Sequence, residues 1–158
     1  MDQDAFRKTY REVNECFCAY EKSILTSRCG CSFCSIFCIA EREGVECQSP
    51  EAQKQCFNLL EFLKENARFV LKIHHEGNTL PHGKAIRLQV GGLRGLHALL
   101  YPDEVVPAVI QDAHVVIEGC KEKYGGIDKI PFQEVIKQIA LFQEKKRSKR
   151  GREPSNDD

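Results

Sequence analysis

Residues 29–38 are Cys-Gly-Cys-Ser-Phe-Cys-Ser-Ile-Phe-Cys, a C-x-C-x2-C-x3-C pattern that places four thiols within ten residues. Thiols this close in the chain can bind one metal centre with little help from the rest of the fold. Gly30 permits the sharp backbone turn that two nearly adjacent ligands require. The stretch therefore predicts an N-terminal cysteine-rich metal-binding loop, with Cys29, Cys31, Cys34 and Cys38 as its ligands.

The spacing within the pattern indicates how these ligands would be presented. Cys31 and Cys34 form a C-x2-C pair, the commonest local chelate. A short helix predicted over residues 35–43, ended by Gly44, would place Cys34 and Cys38 on one face, because they are four residues apart. If Cys38 is a core residue instead, Cys47 or Cys56 would supply the fourth ligand, or one iron would be left open.

Zinc and iron–sulfur clusters both bind cysteine thiolates, usually four of them. Structural zinc sites commonly pair two C-x2-C chelates a dozen or more residues apart, whereas iron–sulfur proteins often take three ligands from one loop. This chain has one C-x2-C pair, and apolar neighbours would shield a cluster from water: Phe33, Ile36, Phe37 and Ile39. We therefore predict a [4Fe–4S] cluster on the four cysteines, with Zn²⁺ as the alternative.

The remaining cysteines have simpler explanations. Cys56 and Cys120 fall on the apolar faces of predicted helices, where cysteine commonly packs into the core. Cys16 and Cys18 are two apart on a predicted helix, so at most one of them would face a shared metal. Unmetallated, buried thiols are a further alternative for the whole set.

The fold is predicted to be mainly α within an α+β class, with four or five helices and one antiparallel β-hairpin. Apolar periodicity predicts helices over residues 3–26, from Ser49-Pro50-Glu51 to about residue 67, over 104–123 and over 131–146. A β-rich composition predicts strands over 68–75 and 85–90, and the Gly-rich residues 91–96 after them suggest a flexible connection. Residues 1–147 are expected to form a single domain that includes the cysteine-rich segment 27–56.

The charge and composition of the chain limit the kinds of partner that it is expected to bind. The formal net charge is zero, so nucleic acid is expected to bind only through the basic run Lys145–Arg152, if at all, and a protein partner is favoured. Residues 148–158 are expected to be a disordered charged tail. No apolar window approaches the ~18 residues of a membrane span. The N-terminus lacks the features of a secretory signal, so a cytoplasmic location is expected, where dense cysteines more often bind metal than form disulfides.

No catalytic constellation is visible in the sequence, such as a Ser–His–Asp set or an HExxH motif. The sequence therefore predicts a small cysteine-ligated metalloprotein, whose [4Fe–4S] cluster transfers electrons or senses redox state. The alternative is a structural zinc module that binds a protein or a nucleic acid.

Overall fold

The computed structural model describes residues 4–5, 8–10, 16–73 and 80–142 of the chain. These residues are mostly helical and contain one two-stranded antiparallel sheet, so the mainly α class with one hairpin is confirmed. The predicted basic run and the tail lie outside the described residues. In chain order the elements are α1 (Glu21–Leu25), β1 (Cys34–Ile39), β2 (Arg42–Cys47), α2 (Pro50–Asn66), α3 (Arg68–Leu71), α4 (His82–Leu100), α5 (Ala113–Tyr124), a 3-10 turn (Ile127–Lys129) and α6 (Phe132–Leu141).

The hairpin lies in a different part of the chain from the one predicted. Residues 68–71 and 85–90, predicted as strand, are helical in α3 and α4. Residues 35–43, predicted as a short helix, belong to β1, β2 and the two-residue loop between them. The strands pair from Cys34 opposite Cys47 to Ile39 opposite Arg42. The cysteine pattern therefore continues into a strand, where its residues alternate between two faces.

The predicted first helix is interrupted. Residues 4–5 and 8–10 are helical, but residues 16–20 are not, and α1 begins only at Glu21. Phe17 instead pairs antiparallel with Glu46 of β2. The N–H of Cys18 donates to the Val45 carbonyl at 2.9 Å and thereby fixes this segment along the edge of the hairpin.

Helix α2 begins where the sequence predicts. The Ser49 hydroxyl accepts a hydrogen bond from the Ala52 N–H at 3.1 Å, and Pro50 occupies the first turn. Serine satisfies an N–H group that has no partner within the helix, and proline lacks an N–H that would need one. Leu59 and Leu63 on this helix are almost completely buried and contribute to the core.

Helix α4 forms the centre of the core and packs closely against α6. A Cβ on Gly91 would lie 2.7 Å from the Ile139 Cα, and one on Gly95 would lie 2.7 Å from the Val135 carbonyl oxygen. Residues 91–96, predicted as a flexible connection, are part of this helix. Gly91 and Gly95 allow α4 and α6 to approach closely. The predicted helix over 104–123 is shorter in the structure, because α5 begins only after Asp112.

The end of α5 at Gly125 is as predicted, since this glycine adopts φ of 84°. Helix α6 begins after Pro131, as expected, and ends at Leu141. Residues 143–146 of the predicted last helix lie outside the described ranges. No helix in the described part of the chain has both the length and the apolar character that crossing a membrane requires.

Candidate metal centre

Three separate segments bring cysteines together beside the hairpin. The first is residues 16–20, which run along β2. The second is the loop of residues 26–33 between α1 and β1. The third is the first half of α2, which carries Cys56. Because each segment is fixed to a different neighbour, the position of the thiols depends on the tertiary fold as well as on the local sequence.

The loop between α1 and β1 is bound to the chain that precedes α5. Cys29 forms a parallel bridge with Ile110, and the Gly30 N–H donates to the Ile110 carbonyl at 2.9 Å. The Gly30 carbonyl accepts the Ala113 N–H at 2.8 Å. A Cβ on Gly30 would lie 2.7 Å from the Gln111 carbonyl oxygen. Glycine is therefore needed here for close approach of two backbones, and the predicted role in a sharp local turn is secondary.

Asp112 connects this loop to the start of α5. Its Oδ1 accepts the Ser32 N–H at 3.0 Å and also the His114 N–H at 3.1 Å, the second of which caps the helix. The Phe33 ring contacts the His114 ring edge-on, with the centroids 4.5 Å apart. Residues 30–33 are therefore held rigidly against α5.

Five thiols, which we call the thiol cluster, influence one another electrostatically: Cys18, Cys29, Cys31, Cys34 and Cys56. Burial, together with the charges of the other four thiols, raises the pKa of Cys29 to about 12. Burial likewise raises the pKa of Cys18 and of Cys56 to about 12. Thiols in such a setting ionise only if a positive charge enters among them, and a bound metal ion supplies one.

Two members of the cluster accept hydrogen bonds from the backbone. The Tyr20 N–H points to the Cys18 Sγ at 3.4 Å, and the Phe33 N–H points to the Cys31 Sγ at 3.5 Å. Although burial raises the pKa of Cys31, the N–H groups of Phe33 and His114 act in the opposite direction. Donors placed on sulfur favour the thiolate over the thiol.

The Tyr20 hydroxyl is a buried polar group beside the cluster. Tyr20 is only 1% exposed, and its hydroxyl has no hydrogen-bond partner among the described residues. Burial raises its pKa well above the usual value, and the charges of four cluster members add to this effect: Cys56, Cys29, Cys18 and Cys31. A buried hydroxyl without a partner costs about 1–3 kcal/mol.

The predicted ligand set is only partly brought together. Cys29, Cys31 and Cys34 lie in the cluster, whereas Cys38 is exposed on β1. Cys38 lies four residues beyond Cys34 along an extended strand, a displacement of about 13 Å. The strand also places both residues on one face, but it separates them much further than the predicted helix would. Cys38 is therefore not positioned to share a single ion with the other three.

Cys18 and Cys56 take part in the cluster although the sequence assigned them elsewhere. The break before α1 removes the helical geometry that would have turned Cys18 away. The Cys-x-Cys spacing of Cys16 and Cys18, which matches that of Cys29 and Cys31, is the signal in the sequence that could have identified this segment. Cys56 packs against the main core, as predicted, and the charges of Cys18 and Cys31 raise its pKa, so its alternative role as a ligand stays open.

Two other cysteines donate hydrogen bonds to the backbone. The Cys47 thiol donates to the Ser49 carbonyl at 3.2 Å, and the Cys120 thiol donates to the Leu96 carbonyl at 3.3 Å. Donation from S–H requires the neutral thiol. Cys120 is completely buried in the main core, which confirms its predicted core role.

In the described ranges, no group of three or more His, Cys, Asp or Glu side chains is already arranged as it would be around a metal ion. A scan against protein-family models found no match, and searches of curated proteins and of solved structures found none either. The function is therefore argued from the thiol cluster alone.

Proposed function

We propose that this chain is a small metalloprotein whose thiol cluster binds one cysteine-ligated centre, preferentially a [4Fe–4S] cluster. The centre would transfer electrons or sense redox state. The observation that carries this proposal is the convergence of five thiols from three segments beside a buried tyrosine hydroxyl that has no hydrogen-bond partner in the described part of the chain. Core packing alone explains neither the number of thiols nor the hydroxyl.

Three ligands are common to every arrangement that we consider. Cys18, Cys29 and Cys31 each lie within electrostatic reach of the other two, and Cys18 and Cys31 already accept backbone N–H groups. The fourth ligand is Cys34, which completes a C-x2-C chelate with Cys31, or Cys56, which reaches the site from the rigid helix α2. Binding requires these side chains to turn toward a common centre.

An iron–sulfur cluster suits this setting better than a single zinc ion. The loop of residues 29–34 supplies closely spaced ligands and a distant segment completes the set, which is the common arrangement for such clusters. The Tyr20 hydroxyl can donate to a cluster sulfur, and hydrogen bonds to sulfur tune reduction potential. Cys31, Cys34 and Cys56 are partly exposed, which leaves one side of the site near the surface. Electron exchange with a protein partner would use that side.

The test is anaerobic purification followed by measurement of iron, acid-labile sulfide, zinc and visible absorbance. We expect a brown protein with about four irons and four sulfides per chain, as the cluster type requires. Cys18→Ser and Cys29→Ser should lose most of the iron. Cys38→Ser and Cys120→Ser are the matched controls, one exposed and one buried, and should keep it. Iron that is lost equally from all four variants would contradict this ligand assignment.

A structural zinc module is the second candidate, favoured by one observation. Cys31 and Cys34 form a C-x2-C chelate whose first sulfur accepts two N–H groups and whose loop is fixed to the α5 cap. In that case the metal would contribute folding energy without electron chemistry. Colourless protein with one zinc per chain would support this candidate and overturn the first. If the protein without metal is as stable as the protein supplied with iron or zinc, both candidates are overturned.

A further inference from the structure

We propose that Cys16 and Cys47 are a redox-active cysteine pair, beside the thiol cluster, that closes to a disulfide. The inference does not rest on the proposed metal. It rests on the pairing of residues 16–18 with β2. Phe17 lies opposite Glu46, the Cys47 N–H donates to the Cys16 carbonyl at 2.7 Å, and the Cys18 N–H donates to the Val45 carbonyl at 2.9 Å. Cys16 therefore lies directly opposite Cys47.

This register brings the two side chains to the same face of the sheet. Directly opposed residues in an antiparallel pair that exchange backbone hydrogen bonds have Cα atoms about 5.5 Å apart. Disulfides form across Cα separations of about 4.4–6.8 Å. The bond can therefore close without moving the backbone.

The two thiols already contact each other. Burial raises the pKa of Cys16, the charge of Cys47 raises it further, and a hydrogen bond between the two side chains adds to the effect. Cys34 also faces Cys47, from the other side of β2, but it belongs to the thiol cluster. The Cys47 thiol is engaged with Cys16 and the Ser49 carbonyl. Its charge also raises the pKa of Cys18 and of Cys56, so the pair adjoins the proposed ligands.

Access also suits a stepwise exchange with a small-molecule disulfide as the oxidant. Cys16 is partly exposed, whereas Cys47 is buried. The Cys16 sulfur attacks one sulfur of glutathione disulfide and forms a mixed disulfide, which releases one glutathione. The Cys47 sulfur then attacks the Cys16 sulfur and releases the second glutathione. Two protein thiols are oxidised to one disulfide, and one glutathione disulfide is reduced to two thiols.

Closing the bond would add a covalent link to the two backbone hydrogen bonds that already hold residues 16–18 along β2. Cys18, a proposed ligand, follows Cys16 by two residues, so its segment would be fixed to β2 in the oxidised state. In the reduced state the same segment is held only by non-covalent contacts.

The experiment equilibrates the full chain in glutathione redox buffers, blocks free thiols by alkylation and maps tryptic peptides by mass spectrometry. Cleavage separates peptide 12–22, with Cys16 and Cys18, from peptide 29–42 and from peptide 43–54, which contains Cys47 alone. We expect peptide 12–22 to be linked to peptide 43–54. The link should persist in Cys18→Ser and be lost in Cys16→Ser.

Cys38 serves as the internal control, because it is exposed and should take up glutathione under the same conditions. The proposal fails if Cys16 and Cys47 stay fully alkylated in buffers that modify Cys38. It also fails if peptide 43–54 is linked to peptide 29–42, which would place the partner of Cys47 among the four cysteines of that peptide. The first outcome involves no proposed ligand, so failure there is distinct from failure of the proposed function.

Discussion

The Asp112 carboxylate accepts the backbone N–H of Ser32 at 3.0 Å, although 80 residues separate the two in the chain. The same oxygen accepts the N–H groups of His114 and Val115 and so caps α5. One side chain therefore fixes both the cysteine-bearing loop and the helix behind it.

Replacing Asp112 should weaken both functions of this carboxylate. We expect Asp112→Ala to lower the free energy of unfolding by about 0.5–2 kcal/mol, the usual cost of a lost helix cap. It should also lower the metal content, because residues 30–33 lose their anchor. Urea unfolding and the metal-to-protein ratio measure the two effects. Ser49→Ala is the matched control, because it removes the cap of α2 without touching the loop. Equal loss of metal in both variants would show that the loss does not come from the contact between Asp112 and the cysteine-bearing loop.

Gly30 provides a second test of the loop. Alanine there would bring its Cβ to 2.7 Å from the Gln111 carbonyl oxygen, so the two backbones must separate. We expect Gly30→Ala to cost about 1–3 kcal/mol, as overpacking usually does, and to lower metal content. Gly125→Ala is the control: its Cβ meets nothing within 4 Å, and its cost of about 1–2 kcal/mol comes from the positive φ. If the control loses as much metal, general instability rather than loop geometry is responsible.

The sequence predicts helix positions best where one local signal fixes an end. Ser49 and Pro50 start α2 and Gly125 ends α5, and each acts through its own backbone or side chain. The sequence predicts the hairpin at the wrong place, because the turn between β1 and β2 lacks the glycine or asparagine that usually marks a hairpin. Ala40 adopts a φ of 57° in this turn instead. The glycines of α4 were misinterpreted because their role, close approach to α6, depends on residues about 40 positions away.

In the candidate site, too, features fixed by nearby residues are predictable from the sequence, and features that depend on distant residues are not. Cys29, Cys31 and Cys34 are identifiable because they are close in sequence. Cys18 could not be placed, because apolar periodicity predicted a continuous helix through it, and only pairing with β2 breaks that helix. Cys56 has an apolar helical pattern around it, and the pattern does not reveal that this turn of α2 faces the loop.

Cys120 gives a pH test that is independent of the proposed ligands. Burial raises its pKa from 9.0 to about 11. The folded state therefore holds the proton more tightly than the unfolded state, so the stability it contributes is complete below pH 9 and is lost as pH rises toward 11. A shift of this size corresponds to a free energy of about 3 kcal/mol. The stability gap between the parent protein and Cys120→Ala should shrink across this window, as measured by urea unfolding at each pH. A gap that stays constant from about pH 8 to about pH 11 would contradict this prediction.

Tyr20→Phe should change stability in opposite directions with and without metal. In the metal-free protein no described residue forms a hydrogen bond with the buried hydroxyl, so removing it should raise the free energy of unfolding by about 1 kcal/mol or more. In the metal-bound protein the hydroxyl donates to a sulfur, and losing a hydrogen bond to a charged group should cost about 1.5–3 kcal/mol. Urea unfolding of both forms measures the reversal. Tyr101→Phe is the control, because Tyr101 is 41% exposed and should be neutral in both forms. A change of the same sign in both forms would show that the Tyr20 hydroxyl does not donate a hydrogen bond to the metal centre.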